Sequence, residues 1–317
     1  MIRAGKDKIR PDELSSWLER AIKDFCLASP ENTLKNDTGE PAWEEPLVGF
    51  SNGADPLYFR IKEDIGPFYL TPLEIFGLAF PQIQTSPEDL AVVSWILPQT
   101  KATKADNRQE TTLPSERWLR SRHFGEMFNG VLRRYLVETL QAAGFTAVAP
   151  VDAPFWSLQE SPRYGLASRW SERHAAYISG LGTFGLCDGL ITPRGKAMRC
   201  GSVVARITLP PTARAYTDHR EYCLHFSQDA CGKCIKRCPA GALTDRGHDK
   251  TRCENYIRQA TAPYGRERFG IDTYGCGLCQ TGVPCESGIP VRKKAKSLAH
   301  RGRFTTGAPE VGPRMDG

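Results

Sequence analysis

Hydrophobic residues recur at helical spacing near the start of the chain. After Pro11 the apolar positions are Leu14, Trp17, Leu18, Ala21, Ile22 and Phe25. Intervals of three and four residues predict an amphipathic first helix that begins at about Asp12. The next forty residues are rich in proline, glycine, asparagine and acidic residues, which predicts a long surface excursion.

Apolar patterns then alternate between strand and helix as far as residue 209. Thr71, Pro72 and Glu74 form a capping-box sequence, which predicts a short helix that ends near Pro81. The run LAVVSWIL at 90–97 predicts a buried strand, and the polar stretch 99–115 predicts a loop. The later elements are expected to be a helix at 116–143 ending at Gly144, a strand at 146–151, a helix at 171–179 capped by Ser171 and a strand at 202–209. This order indicates an α/β (or α+β) core ahead of a cysteine-rich segment.

The composition is that of a globular chain, with 317 residues, 40% hydrophobic residues and a net charge of +6. Such a length suffices for one large domain or two ordinary ones. We predict an α/β domain at 1–210, a cysteine-rich domain at 211–291 and a basic flexible tail at 292–317. The tail contains RKKAKSLAHRGR and is expected to be solvated. A basic surface could instead dock an acidic ferredoxin or flavodoxin, or contact nucleic acid phosphates.

The N-terminal segment MIRAGKDKIR has no apolar run, and no other stretch approaches the length of a membrane span. Export and membrane insertion are therefore not expected. Cysteines at metal-binding spacing, without a signal peptide, indicate reduced thiols in the cytoplasm rather than a disulfide framework.

Eight of the eleven cysteines lie between Cys223 and Cys285. Part of this segment reads C-x2-C-x3-C-P, which is typical of ferredoxins that bind two 4Fe–4S clusters. In these ferredoxins each cluster takes three cysteines of one run and the fourth cysteine of the other. The two ligand sets predicted by this rule are Cys223, Cys231, Cys234 and Cys285, and Cys238, Cys253, Cys276 and Cys279. We therefore predict that the domain at 211–291 is a bacterial ferredoxin-like module with two 4Fe–4S clusters and that the chain transfers electrons.

The first ligand set departs from the usual spacing. Gln228 stands three residues before Cys231, where a cysteine is usual, so Cys223 must reach in from an eight-residue offset, and Cys200 is a competing ligand. Zinc is an alternative metal because paired C-x2-C sequences also form tetrahedral thiolate sites. The Cys238-Pro239 step and the number of thiols favour iron–sulfur clusters. Cys26 and Cys187 are expected to be plain small residues.

A glycine-rich segment precedes the cysteines, with four glycines between residues 180 and 189. Glycines let backbone amides approach a large ligand, although they also simply form turns. The following TPRGK at 192–196 places two cations beside a glycine, which could hold cofactor amides, a phosphate or an anionic substrate, or form a hairpin tip in water. The cofactor-binding residues predicted here are Gly180, Gly182, Thr183, Gly185, Arg194 and Lys196.

From about residue 168 to Cys285 the chain resembles the epoxyqueuosine reductases and their relatives, the reductive dehalogenases. The matching positions are Glu172 with Arg173, SGLG at 179–182, Phe184 with Gly185, Cys231, Cys234, Cys238 with Pro239, Cys253 in CENYI, and Gly275 with Cys276 and Cys279. The resemblance implies two 4Fe–4S clusters, cobalamin held by the N-terminal domain, and electron transfer from cluster to cluster to cobalt. The protein supplies position and protons to such a cofactor.

Two departures from the family pattern indicate a divergent subgroup. Epoxyqueuosine reductases have a proton-donating aspartate about six residues before the Glu-Arg pair, whereas this chain reads YGLAS at 164–168. The family also usually has C-x3-C-P where this chain has Cys279-x5-Cys285. We also expect no tRNA-binding repeat module after the cysteines. We therefore expect a substrate other than epoxyqueuosine.

Without a carboxylate, tyrosine and histidine are the candidates for the acid that protonates a reduced product. His174 and Tyr177 lie about one turn apart on the helix predicted at 171–179, so they can share a face. Tyr164 comes from the preceding loop. Each of these three candidate catalytic residues could equally be structural.

The sequence thus predicts a cytoplasmic, cobalamin-dependent iron–sulfur reductase of a small molecule or nucleoside. A low-potential electron donor such as ferredoxin or flavodoxin is expected as its partner. Binding to a membrane or to nucleic acid is not expected. The alternative is a non-catalytic electron carrier, or a reductive activator of a partner redox or corrinoid protein. Some 200 residues ahead of the cysteines argue against a simple carrier, because a ferredoxin needs far fewer.

Overall fold

The computed structural model describes residues 11–291, so the tail predicted at 292–317 lies outside the described residues. The helices are α1 (Pro11–Ala28), α2 (Pro56–Ile65), α3 (Pro72–Ala79), α4 (Lys101–Gln109), α5 (Glu116–Ala142), α6 (Glu172–Ile178), α7 (Leu224–Gln228), α8 (Lys233–Lys236), α9 (Lys250–Tyr256) and α10 (Ala262–Phe269). The strands are β1 (Leu47–Asn52), β2 (Leu90–Pro98), β3 (Ala147–Val148), β4 (Leu158–Ser161), β5 (Gly165–Ser168), β6 (Thr183–Phe184), β7 (Leu190–Ile191), β8 (Met198–Arg206), β9 (Leu243–Thr244) and β10 (Gly247–His248). No helix within residues 11–291 is both long and apolar enough to cross a membrane.

A four-stranded sheet with the order β1-β2-β8-β3 forms the centre of the fold, and its neighbouring strands are antiparallel. Every residue of β2 is buried, as the continuous apolar run predicts for a strand covered on both faces. Successive side chains of β2 point to opposite faces of the sheet and pack in two different hydrophobic cores. Val93 and Trp95 pack with α1 and α5 on one face, while Val92 and Ile96 pack with α3 and α6 on the other. The predicted mixed α/β architecture is confirmed, with small antiparallel sheets.

Several boundaries differ from the sequence prediction. The stretch 99–115, predicted as a loop, contains α4, and the surface excursion predicted after the first helix contains β1 and α2. The strand predicted at 146–151 is only the two-residue β3, whereas the helix predicted at 116–143 is α5 within one residue. The capping box at Thr71 is present, because the Thr71 hydroxyl accepts a hydrogen bond from the Glu74 N–H and the Glu74 carboxylate accepts one from the Thr71 N–H.

The cysteine-rich segment contacts helix α4 of the preceding part of the chain. The guanidinium of Arg237 donates to the carbonyl oxygens of Asn107 and Leu278 at 3.0 and 3.2 Å. On the same side, Asn107 Nδ2 donates to Thr281 Oγ1 at 3.1 Å, and Arg108 pairs with the nearly buried carboxylate of Glu286. These bonds fix the last cysteines of the chain relative to α4.

Candidate metal centre

Four cysteines line one cavity with an empty volume of about 360 Å³. Cys223 is the residue before α7, Cys231 and Cys234 lie at the start of α8, and Cys285 comes from the segment after residue 280. These are the four residues of the first predicted ligand set. The structure therefore brings together thiols that are separated by up to 62 positions in the sequence.

The rest of the cavity wall is mainly apolar, with Leu186, Ile191 and Val283 in the same buried cluster as the cysteines. Burial raises the pKa of Cys234 to about 12 and also raises the pKa of Cys285. A thiol in such a place keeps its proton until a cation replaces it, and a bound metal deprotonates a coordinating thiol outright. The thiol set and the apolar wall fit a 4Fe–4S cluster.

The second predicted set is brought together in part. Cys238, Cys253 and Cys276 lie close enough for the charges of Cys253 and Cys238 to act on the thiol of Cys276, whose pKa burial raises to about 12. Cys279 lies beside Cys276 in this part of the fold, yet its thiol is hydrogen-bonded to Cys187. Among the described residues, no group of three or more His, Cys, Asp or Glu side chains is arranged to hold a single metal ion.

Cys187 and Lys196 are two residues whose place beside the cysteines the sequence did not reveal. Lys196 Nζ donates to Cys187 Sγ at 3.2 Å, and both side chains are buried. The hydrogen bond from Cys279 lowers the pKa of Cys187 well below its ordinary value, and the Lys196 ammonium acts in the same direction. Cys187 is thus more than the plain small residue that the sequence predicted.

Cys200, the competing ligand for the first set, lies in β8 with its side chain in the core beneath the sheet. Its thiol is 3.7 Å from the sulfur of Met198, and burial raises its pKa to about 12. Cys223, not Cys200, borders the cavity with Cys231, Cys234 and Cys285. This geometry favours Cys223 as the fourth ligand.

Three glycines are predicted to lie against a cofactor. In the structure they pack against other parts of the chain. A Cβ on Gly182 would lie 2.2 Å from the carbonyl oxygen of Ile191, and one on Gly185 would lie 3.3 Å from the Ile191 side chain. Gly180 has a φ of +79°, a left-handed conformation that favours glycine, and packs against Thr212. Close packing and a turn therefore account for these three residues.

The polar members of the predicted cofactor-binding set also have protein partners. Thr183 Oγ1 accepts a hydrogen bond from the N–H of Tyr222 at 2.9 Å. Arg194 pairs with Glu44 at 2.9 Å. Lys196 points at Cys187, as described above. The six residues predicted to hold cobalamin thus make internal contacts, and cobalamin binding by them stays a prediction.

His174 and Tyr177 share a face of α6, as their spacing predicts. Both rings contact Phe184, with centroids 4.9 and 5.7 Å away. Burial lowers the pKa of His174 to about 3, so its imidazole is neutral at physiological pH. Burial also raises the pKa of Tyr177, whose ring stacks on Tyr216 at 5.4 Å. His174 therefore has no imidazolium proton to donate, while Tyr177 keeps its hydroxyl proton.

Tyr164 lies between β4 and β5 and meets an acid that comes from a distant part of the sequence. Its hydroxyl donates to Asp64 Oδ2 at 2.5 Å, and Lys250 Nζ lies 5.3 Å from the centroid of its ring. Burial, helped by the hydrogen bond to Asp64, raises the pKa of Tyr164 to about 12. Asp64 stands at the end of α2, a helix that the sequence pattern did not reveal, so this pairing was missed.

The Glu-Arg pair of the family resemblance has a visible structural role. Glu172 accepts a hydrogen bond from the N–H of Ser202 at 3.1 Å and pairs with Arg133 at 3.2 Å, which joins α6 to β8 and α5. Arg133, only 4% exposed, also pairs with Glu126 and Asp152. Arg173 donates to the carbonyl oxygen of Asp188. These contacts position the helix that carries His174 and Tyr177.

Burial raises the pKa of Glu172 to about 7 from an ordinary value of 4.5, and the neighbouring Glu126 contributes to the rise. A raised carboxyl pKa favours the folded state below pH 4.5, and that advantage is lost as the pH rises through 7. We therefore expect Glu172→Gln to match the wild type near pH 4.5 and to be more stable near pH 8, by about 3 kcal/mol. Urea unfolding of both proteins across this pH range measures the difference. If the free energies of unfolding of the two proteins instead changed in parallel with pH, Glu172 would be ionised in the folded protein across this pH range.

A more open cleft, with an empty volume of about 990 Å³, lies between α3, α5 and the segment after β3. Its polar residues are Arg134, Glu138, Gln141 and Asp152, and its apolar wall includes Phe80 and Phe155. None of the candidate site residues predicted from the sequence borders this cleft. It lies apart from the cavity of the cysteines.

Comparison with known proteins supports the resemblance that the sequence motifs indicate. No protein-family model matches the chain. An epoxyqueuosine reductase of Bacillus anthracis is 29% identical over 124 residues, and one of Bacillus cereus is 29% identical over 127 residues. Each match covers 38% of this chain and only 30% of the relative. The predicted resemblance to epoxyqueuosine reductases is confirmed.

Solved structures show a similar fold over a larger part of the chain. A catabolic reductive dehalogenase in complex with 3-bromo-4-hydroxybenzoic acid matches with a TM-score of 0.52 and 13% identity, covering 91% of this chain and 34% of the dehalogenase. A reductive dehalogenase whose structure suggests a mechanism for B12-dependent dehalogenation gives a TM-score of 0.51 and 13% identity over 92% of this chain and 34% of that protein. At this level of identity the likeness concerns the fold alone.

Proposed function

We propose that the chain is an iron–sulfur reductase that binds two 4Fe–4S clusters, uses cobalamin as a second cofactor and reduces a small molecule or a nucleoside. A ferredoxin or flavodoxin would supply its electrons. The observation that carries this proposal is the cavity lined by Cys223, Cys231, Cys234 and Cys285, the set that the cysteine spacing assigns to one cluster. Similarity to epoxyqueuosine reductases supports a reductase.

The residues of the chain have separate tasks in this proposal. Bound 4Fe–4S clusters supply one-electron transfer at potentials set by charge, hydrogen bonds to sulfur and solvent exposure. Cys223, Cys231, Cys234 and Cys285 would hold one cluster, while Cys238, Cys253, Cys276 and Cys279 would hold the other. Leu186, Ile191 and Val283 exclude water from the first site. Exclusion of water strengthens every electrostatic interaction at that site.

The proposal that the chain binds cobalamin is based on similar proteins. The B12 dependence of a reductive dehalogenase with the same fold supports it. Such a corrinoid would supply a strongly reducing centre for the substrate. The contacts of Gly182, Thr183 and Arg194 within the protein mean that these residues would have to exchange partners before they could hold it.

A proton is also required when a substrate is reduced, and the structure favours tyrosine as its source. Tyr164 and Tyr177 are both protonated at physiological pH, since an ordinary tyrosine pKa is about 10 and burial raises both values further. The carboxylate of Asp64 accepts the hydrogen bond of Tyr164 and orients its hydroxyl. We propose that the Asp64–Tyr164 pair replaces the aspartate that epoxyqueuosine reductases carry ahead of the Glu-Arg pair.

An anaerobic titration of the reconstituted protein with cobalamin tests the function. We expect about eight irons per chain, as two 4Fe–4S clusters require, and an electron paramagnetic resonance signal of base-off Co(II) with one corrinoid bound. Eight irons without corrinoid binding would favour an electron carrier or a reductive activator. Zinc in place of iron would overturn both readings.

A further inference from the structure

Lys196 is a cation enclosed by thiols. Its side chain is only 2% exposed, although lysine is almost never fully buried without a partner. Nζ donates to Cys187 Sγ at 3.2 Å, and the residue lines the cavity that Cys223, Cys231, Cys234 and Cys285 surround. A buried ammonium with these neighbours requires an anionic group to compensate for its lost hydration.

The surrounding backbone holds Lys196 in this position. The N–H of Lys196 donates to the carbonyl oxygen of Cys285 at 2.8 Å, which ties the lysine to one predicted ligand. Gly189 leaves room for the stem of the side chain, since a Cβ there would lie 3.0 Å from Lys196 Cδ. Gly195, with a φ of +89°, packs against the carbonyl group of Glu286. The site is therefore built around the lysine.

The sulfur of Cys187 supplies negative charge beside Lys196, and no carboxylate of the described residues adds to it. Within residues 11–291, Lys196 forms no ion pair with an aspartate or glutamate, and the neighbouring Glu286 pairs with Arg108. A 4Fe–4S cluster with four thiolate ligands carries a net negative charge, and that charge grows by one when the cluster is reduced. Such a group in the cavity would face the ammonium of Lys196 directly.

We infer that Lys196 is the buried cation that raises the reduction potential of the cluster on Cys223, Cys231, Cys234 and Cys285. This inference rests on the proposed function. The ammonium stabilises the additional negative charge of the reduced state, and the low dielectric of the dry cavity strengthens the effect. Lys196 is a positioning and tuning residue in this account and has no contact with substrate.

Redox titration followed by electron paramagnetic resonance tests the inference. We expect Lys196→Met to make reduction of one cluster at least tenfold less favourable, which corresponds to a midpoint potential about 59 mV more negative for one electron. Lys196→Arg keeps the charge and is expected to stay closer to the wild type. Lys236→Met is the matched control, because it removes the same charge from an exposed lysine of α8.

The outcomes separate this inference from the proposed function. Iron in the wild type with an unchanged potential in Lys196→Met would overturn the inference and leave the function standing, whereas a wild type without iron would overturn both. If Lys196→Met loses its iron, Lys196→Gln, which keeps a hydrogen-bond donor, takes its place in the titration. Loss of iron from both neutral variants would overturn the tuning role, since the lysine would then serve cluster assembly.

Discussion

Replacing Cys223 with alanine is expected to reduce the iron content of the reconstituted protein from about eight to about four atoms per chain. Cys223 lines the cavity with Cys231, Cys234 and Cys285, and alanine cannot coordinate iron. Three remaining thiolates leave one iron of the cluster without its protein ligand, and we expect this incompletely ligated cluster to be lost as a whole. Iron and acid-labile sulfide analysis, with the visible absorbance of the cluster, measures the loss.

Cys200→Ala is the matched control, because Cys200 is also buried but lies in β8 near Met198. We expect this variant to keep its full iron content and to lose only the packing of one small side chain. The reverse result, with iron lost from Cys200→Ala and retained in Cys223→Ala, would make Cys200 the fourth ligand. Full iron in both variants would place the cluster away from this cavity.

Only part of the first cysteine set could be predicted from local spacing, whereas Cys223 and Cys285 are assigned to it by the ligand rule of two-cluster ferredoxins. Cys231 and Cys234 lie three residues apart, and a turn of helix is enough to bring them together. Cys187 and Lys196 could not be found in this way. Cys187 lies in the hairpin of β6 and β7, and the backbone bond from Lys196 to Cys285 places the lysine at the cavity. Both are tertiary contacts with no signature in the sequence.

The missed helix α4 shows where hydrophobic periodicity fails. Its sequence KATKADNRQ contains almost no apolar residue, so no apolar stripe marks its buried face. Its buried side chains are instead Thr103, Lys104 and Asn107, and Asn107 bonds to Thr281 and to the backbone of Ser115. A helix that packs through hydrogen bonds is thus invisible to an analysis based on apolar spacing.

The glycine-rich segment could be read in two ways, and only the structure distinguishes them. Four glycines within ten residues are compatible with either a bound cofactor or close packing of the chain. Gly182 meets the carbonyl group of Ile191, and Gly189 meets the stem of Lys196. The sequence shows that these positions are glycines, but it does not show whether a ligand or another part of the chain packs against them.

Arg133→Met is expected to have the largest effect on stability, a loss of about 3–5 kcal/mol in the free energy of unfolding. Arg133 is 4% exposed and pairs with Glu126, Asp152 and Glu172, so its removal leaves three carboxylates around one buried site. The pKa of Glu172, already raised to about 7 by burial, should rise further without this cation. Urea unfolding at pH 7 measures the loss.

Arg134→Met provides the control, since Arg134 is the next residue of α5 and is exposed. A surface substitution of this kind usually changes stability by no more than about 0.5 kcal/mol. Equal stability of the two variants would mean that the carboxylates do not depend on Arg133. A selective loss in Arg133→Met would instead show that this cation holds α6 against α5 and β8, and with it the helix that carries His174 and Tyr177.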